Sequence, residues 1–180
     1  MSRTNSICLM VEYNEWMNAR LYGAAINLPI EELNANRNAF FGSILGTLNH
    51  LVVADTIWLK RFATHPANYA ALDMIRDLPT PISLDQMLFT DIQSLSKHRK
   101  LLDQTIMEWA HSVAEHDLGY VLSYSNMKGI PAQKNFFSLV MHFFNHQTHH
   151  RGQATTLLSQ AGVDVGVTDL LALIPNETVA

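Results

Sequence analysis

The stretch His142-Phe143-Phe144-Asn145-His146-Gln147-Thr148-His149-His150-Arg151-Gly152-Gln153 decides how this chain is read. Four of the nine histidines fall in it, beside a single formally charged residue, Arg151. On a helix, His142, His146 and His150 form an i, i+4, i+8 ladder, and Gln153 follows one turn later. Neighbours on such a ladder are close enough to bind one metal ion together. From Asn135 to Val163 the only charged side chain is Arg151, and apolar residues nearly encircle the helix. That pattern predicts a helix buried in the middle of a bundle, with imidazoles on its inner face. The rest of the chain must then supply the bundle and the missing ligands.

Working outward, this helix spans about Gln133 to Ala161, with Gly162 as a C-cap residue. Before it, Tyr120, Val121, Leu122 and Tyr124 precede Asn126-Met127-Lys128-Gly129 and Ile130-Pro131, which predicts a short extended hairpin or ordered loop. Upstream, Ser83-Leu84-Asp85-Gln86 reads as a capping box opening a helix that runs to about His116. Its stripe is Leu84, Leu88, Ile92, Leu95, Leu102, Ile106, Trp109 and Val113. Asp91, Lys97, Arg99, Lys100, Asp103 and Glu108 mostly lie off that stripe, as on an amphipathic outer helix. His98 falls between Leu95 and Leu102 and reads as a partly buried polar residue. Ala67 to Ile82, with Pro79 and Pro81, reads as a loop.

A further helix runs from about Phe40 to Thr64 and is closed by His65-Pro66, because a residue before proline is pushed out of helical geometry. On it His50 shares a mostly apolar face with Gly46, Val53, Ala54 and Ile57. Ile30 to Asn38 is a polar connector with room for one short helical turn. The first helix covers about Ser6 to Leu28 and stops at Pro29. The tail, Val163 to Ala180, carries an apolar run, Leu170 to Ile174, suited to covering one bundle end. The dipeptide Asn-His occurs at 49–50 and at 145–146, which is too little to establish a repeat.

Four long helical segments in 180 residues, 48% of them hydrophobic, predict an all-α four-helix bundle forming one soluble domain over residues 1–180. The net charge of −4, with Lys and Arg scattered, gives no basic footprint for nucleic acid. The uncharged stretch around the histidines passes a crude charge filter for a membrane helix. Its histidines, asparagines, glutamines and arginine would be costly in lipid, so no membrane span is expected. A single cysteine, Cys8, cannot form an intrachain disulfide; it fits a reducing compartment, and the cytoplasm is the expected location.

Neutral imidazole is a borderline ligand that suits Zn²⁺, Ni²⁺, Fe²⁺ or Cu²⁺. Three histidines with an open position describe a catalytic site, whereas a structural zinc is normally closed by four ligands. A lone buried histidine such as His50 is more often a core residue than a ligand, and His142 is either a further ligand or a core neighbour. His149 points about 60° behind His146 and reads as an outer or surface residue. The motif His-Gln-Thr-His-His lacks the glutamate of His-Glu-x-x-His proteases. Asp55, Arg151 and Gln153 are candidates to orient ligands by hydrogen bonds. Equally, Arg151 could cap or pair at the surface. Asp55 sits about 140° from His50 around its helix, which weakens it as a general base.

Asn145-His146-Gln147-Thr148-His149-His150-Arg151-Gly152-Gln153 closely resembles the signature of the DinB-like family. So does Leu48-Asn49-His50-Leu51-Val52-Val53-Ala54-Asp55-Thr56-Ile57-Trp58. Supporting pieces are Tyr13-Asn14-Glu15-Trp16, Phe40-Phe41-Gly42-Ser43-Ile44, Ala161-Gly162-Val163-Asp164 and Thr168-Asp169-Leu170, in order along nearly the whole chain. The resemblance implies a four-helix bundle with long crossover connections, often a homodimer. It also implies a divalent ion, zinc or nickel most often, held by His50, His146 and His150. The first histidine of the His-x-x-x-His pair thereby maps to His146 and not to His142. Some relatives are thiol-dependent transferases or isomerases acting with low-molecular-weight thiols. The expected function is therefore metal-dependent activation of such a thiol for S-transfer to an electrophilic small molecule. The alternatives are a metal-dependent hydrolase and a non-enzymatic metal-binding stress protein.

Overall fold

The computed structural model describes residues 2–176. The chain is mostly helical, with six α-helices and one small sheet among the described residues. In order these are α1 (Arg3–Ala25), α2 (Ile30–Asn34), α3 (Ile44–Phe62), α4 (Asp73–Asp77), α5 (Ile92–Ser112), β1 (Val121–Ser125), β2 (Pro131–Asn135) and α6 (Phe136–Gln160). A short 3-10 turn at Leu170–Leu173 lies in the tail, and residues 177–180 of the predicted tail lie outside the described residues.

Each long helix starts where a side chain serves a free backbone N–H. Ser2, Ser43, Asp91 and Asn135 accept from the N–H of Asn5, Gly46, Ser94 and Ser138 respectively. Helix α6 ends as expected, with Gly162 at φ +76° and its N–H on the Ser159 carbonyl. Helix α1 packs on α5 and α6, and α3 packs on the same two helices. Leu45, Leu48, Leu59, Phe62, Ile106, Trp109, Phe136, Phe143 and Phe144 fill the space between them. Strands β1 and β2 pair antiparallel, Val121 opposite Asn135; the hairpin alternative holds, but β2 takes in Gln133–Asn135, which the spacing assigns to the last helix. Among the described residues no helix is long and apolar enough to cross a membrane.

Several expectations fail, each for a physical reason. The predicted loop over Ala67–Ile82 contains a 3-10 turn and α4, which bury Leu72 and Ile75. The predicted capping box at Ser83 opens no helix. Gln86 Oε1 instead accepts from the Ile82 N–H at 2.8 Å, and α5 begins eight residues later than the Leu84 start implied, at Ile92. Between them, backbone groups of Leu84 and Phe89 are taken by side chains of α3, so tertiary hydrogen bonds displace the local helical ones. Finally, α6 is not encircled by neighbours. Met141, Asn145, Thr148, His149, Gly152 and Thr156 are exposed, while Arg151 is buried.

The burial of Arg151 belongs to a larger inversion. Arg99 and Asp103, placed by sequence mostly on an outer face of α5, are buried instead. Arg99 pairs with Asp55 of α3 and, at 3.0 Å, with Asp103. Asp103 accepts from Asn18 at 2.8 Å and Asn14 at 3.3 Å on α1. Asn14 in turn accepts from Arg151 of α6, whose guanidinium lies 5.3 Å from the Tyr13 ring centre. One polar network thus ties all four long helices together. Burial pushes the Asp103 carboxyl up to about 6 despite the opposing pull of Arg99, and burial raises Asp55 as well.

Candidate metal centre

Helix α3 presents His50, and α6 presents His146 and His150, one turn apart. The packing of these two helices brings the three imidazoles together. Ring centres lie 4.4 Å apart for His50–His150, 4.3 Å for His146–His150 and 5.3 Å for His50–His146. One nitrogen from each ring falls within 4.8 Å of the other two. His50 Nε2 and His150 Nε2 are 3.2 Å apart. Two nitrogens at about 2.0–2.1 Å from one tetrahedral ion are separated by roughly 3.3 Å, so this pair already has the spacing of two ligands.

The outer hydrogen bonds decide which nitrogen faces inward. His50 Nδ1–H donates to the Leu84 carbonyl at 2.7 Å; a carbonyl only accepts, so Nε2 of the neutral ring carries the lone pair. Gln153 Oε1 accepts from His150 Nδ1 at 2.8 Å, and Gln153 Nε2 donates to His149 Nε2 at 3.1 Å. With the amide so oriented, His150 Nε2 also turns a lone pair inward. Two lone pairs aimed at one point repel each other unless a cation sits between them. The residues present therefore fit a divalent ion.

Electrostatics agree. Burial holds His50 down at about 4, with the Leu84 carbonyl opposing and His150 adding to the effect. Burial, then the neighbouring histidines, hold His146 down at about 3. Burial likewise lowers His150 against its bond to Gln153. All three rings are neutral at pH 7, the form that binds metal.

The surrounding scaffold was only partly visible in the sequence. Asn49 clasps the loop before α5: its Nδ2 donates to the Phe89 carbonyl and its Oδ1 accepts from the Phe89 N–H, both at 2.9 Å. This clasp fixes the segment that carries the Leu84 carbonyl. Phe41 stacks on His50, with ring centres 3.8 Å apart and planes 16° from parallel. A Cβ on Gly46 would sit on the Phe41 carbonyl oxygen, so glycine there lets the Phe41 loop lie against α3. Nothing in residue spacing announces Leu84 or Phe41; Asn49 had a faint signal in the repeated Asn-His. Asn145, its counterpart, is exposed.

Other candidates separate cleanly. His142 is not in the cluster; its ring packs edge-on to Trp58 at 5.0 Å. His149 is exposed; its ring packs edge-on to His150, centres 4.8 Å apart, and it accepts from Gln153. His98 is half-buried against Phe89, ring centres 5.0 Å apart. Asp55 is committed to Arg99, and Arg151 to Asn14 and Thr148; neither bonds a histidine of the cluster. Gln153 does. Cys8 is half-buried on α1 and unpaired. A larger cavity, about 630 Å³, lies between α1 and α5, and no histidine lines it.

A model of the DinB family matches residues 1–178. The chain belongs to the DinB family. Among curated proteins, Protein DinB of Bacillus subtilis (strain 168) is 24% identical over 162 residues, covering 89% of this chain and 88% of that protein. No solved structure gave a significant match. Within this DinB-family chain, the three histidines that the sequence resemblance selected are the three that the fold brings together.

Proposed function

We propose that His50, His146 and His150 hold a divalent ion, zinc or nickel, with an open position, and that the protein activates a low-molecular-weight thiol for S-transfer to an electrophile. The observation that carries this reading is the pair of inward Nε2 atoms 3.2 Å apart, each oriented from behind by a hydrogen bond. An ion bound by three neutral imidazoles keeps its full charge and acts as a Lewis acid toward a thiol or water. The chain's own part is positional. Leu84 and Gln153 hold two rings in the ligating tautomer, Phe41 covers one side of His50, and the Asn49 clasp keeps the loop in place.

Thiol chemistry is preferred over hydrolysis because, among the described residues, no carboxylate joins the histidine cluster as a base. Asp55, the nearest carboxylate in sequence, is paired with Arg99; a thiol on the ion would release its proton to solvent outright, whereas metal-bound water is acidified only to about 7 and gains more from a nearby base. The packing of α1 and α3 on the same two helices supports the reading of a single four-helix bundle with long crossover connections. A homodimer working in the reducing cytoplasm is part of the same proposal.

The test is direct. Metal-loaded protein is incubated with glutathione, bacillithiol or mycothiol and a model electrophile, and compared with His50→Ala. Thiol-dependent turnover above the variant is expected with at least one thiol. No excess rate with any of the three sinks the transferase reading, and equal zinc affinity of the two proteins sinks the metal site itself.

A further inference from the structure

One face of α3 continues past the cluster through Ala54, Ile57 and Trp58 to Arg61. His50 and Arg61 are eleven residues apart, roughly 16 Å along the helix axis. Helical side chains lean toward the N-terminus, so Arg61 reaches back toward the histidines and covers Trp58. This face forms the floor of a cavity of about 460 Å³. His142 and His146 line it from α6, and the hairpin turn Asn126–Ile130 and Leu84 complete it. The turn is fixed locally: Asn126 Oδ1 accepts from the N–H of Lys128 at 2.9 Å and Ile130 at 3.0 Å, and Gly129 takes φ +75°. A second cavity of about 410 Å³ shares Ile57, Arg61, Asn126 and Met127 with the first.

The charge in this space is one-sided. Arg61, Lys60 and Lys128 line the two cavities, and among the described residues no aspartate or glutamate does. Lys60 is committed to the carbonyls of Ile75 and Arg76, at 3.0 and 2.9 Å. Arg61 is different. Its guanidinium carbon lies 4.5 Å from the Trp58 ring centre and 4.8 Å from that of Tyr124. A single hydrogen bond, Nη2 to the Ser125 carbonyl at 3.1 Å, holds it. Among the described residues no carboxylate lies within ion-pair distance of it. A half-buried guanidinium, held by two aromatic rings and without a counter-ion, offers its remaining N–H groups to an anion.

We propose that this cavity binds an organic carboxylate with an apolar body, its carboxylate on Arg61 and its far end directed at His146, the member of the histidine cluster that lines the cavity. This names the second substrate of the proposed transferase, and its orientation toward the cluster rests on that reading; the anchor at Arg61 does not. A planar two-oxygen anion matches the fork of a single guanidinium. A phosphate dianion calls for more donors than one arginine and one rim lysine. Ile57, Trp58, Met127 and Ile130 supply apolar walls. The volume lies within the range of small-ligand sites, about 300–1,000 Å³.

The experiment titrates 4-phenylbutyrate, 4-phenylbutyramide and phenylphosphonate into metal-free and zinc-loaded protein. Binding is read from amide and indole NMR shifts at Trp58, Met127 and Lys128. The carboxylate should bind at least about tenfold tighter than the amide, as a charge-assisted hydrogen bond implies. Arg61→Gln should remove that preference, leave amide binding unchanged and leave zinc affinity unchanged, and Arg61→Lys should restore part of it. Equal binding of acid and amide overturns the proposal, as does an undiminished preference in Arg61→Gln, tighter binding of the phosphonate, or no binding of any probe. Failure of the metal reading has a separate signature: wild-type protein takes up no zinc, while carboxylate selectivity persists in the metal-free titration.

Discussion

Arg99→Met tests whether the buried network is what holds the four long helices in register. The substitution keeps most of the aliphatic stem and removes the cation that serves Asp55 and Asp103, both buried. Breaking a buried ion pair from one side costs about 3–5 kcal/mol, because the partner charge is left uncompensated. Against a typical total of about 5–15 kcal/mol, that is a large fraction. At about 2–4 °C per kcal/mol for a chain of this size, it corresponds to a fall in Tm of roughly 6–20 °C. The loss also depends on pH with a defined sign. In the wild type the Asp103 carboxyl is already raised from 3.8 to about 6, chiefly by burial. Without Arg99 both carboxyls rise further. A raised carboxyl binds more protons in the folded state, so its contribution to stability falls as pH rises from the unfolded value through the folded one. The deficit of Arg99→Met relative to wild type is therefore larger at pH 8 than at pH 5. Urea unfolding followed by circular dichroism at both pH values measures it. Adding Asp55→Asn and Asp103→Asn to the variant should recover part of the loss at pH 8. A deficit below about 1 kcal/mol, or one equal at the two pH values, refutes the reasoning.

Gly46→Ala places a methyl group on the Phe41 carbonyl and should displace the ring stacked on His50, weakening zinc binding in a competition assay while the far-UV spectrum stays helical; unchanged zinc affinity counts against Phe41 as a support of the site. Chelation should lower the Tm of metal-loaded protein only modestly, because the helices bury a large apolar core of their own; complete unfolding on chelation contradicts an open site on a self-sufficient scaffold. In chelated protein, His50 and His146 are held down at about 4 and about 3, so the unfolded chain takes up protons at these positions that the folded chain refuses. Stability should fall as pH drops from 6.5 toward 4, with Asp103 opposing between 3.8 and about 6 and the raised Asp55 opposing in the same sense. Denaturant midpoints at pH 7, 6 and 5 check this, and a flat or rising trend on acidification would falsify the neutral-cluster picture.

Much of this protein is legible along the chain. The four long helices follow from apolar spacing, and Pro29, His65-Pro66 and Gly162 mark their limits, because those signals act within a few residues. His146 and His150 lie one turn apart on any helix, so their pairing is a local fact. Resemblance to a family motif selected His50; taken alone, a buried histidine is more often a core residue than a ligand. The fold decides the rest. It places His50 Nε2 against His150 Nε2 across a gap of 100 residues, and sets the Leu84 carbonyl behind His50 by unwinding a stretch whose sequence favours a helix start. It also hides Arg99, Asp103 and Arg151 while exposing the uncharged side of α6. Local periodicity sorts side chains by polarity, but burial of a charge depends on whether partners on other helices meet it. That is a property of the packed helices and not of any one of them.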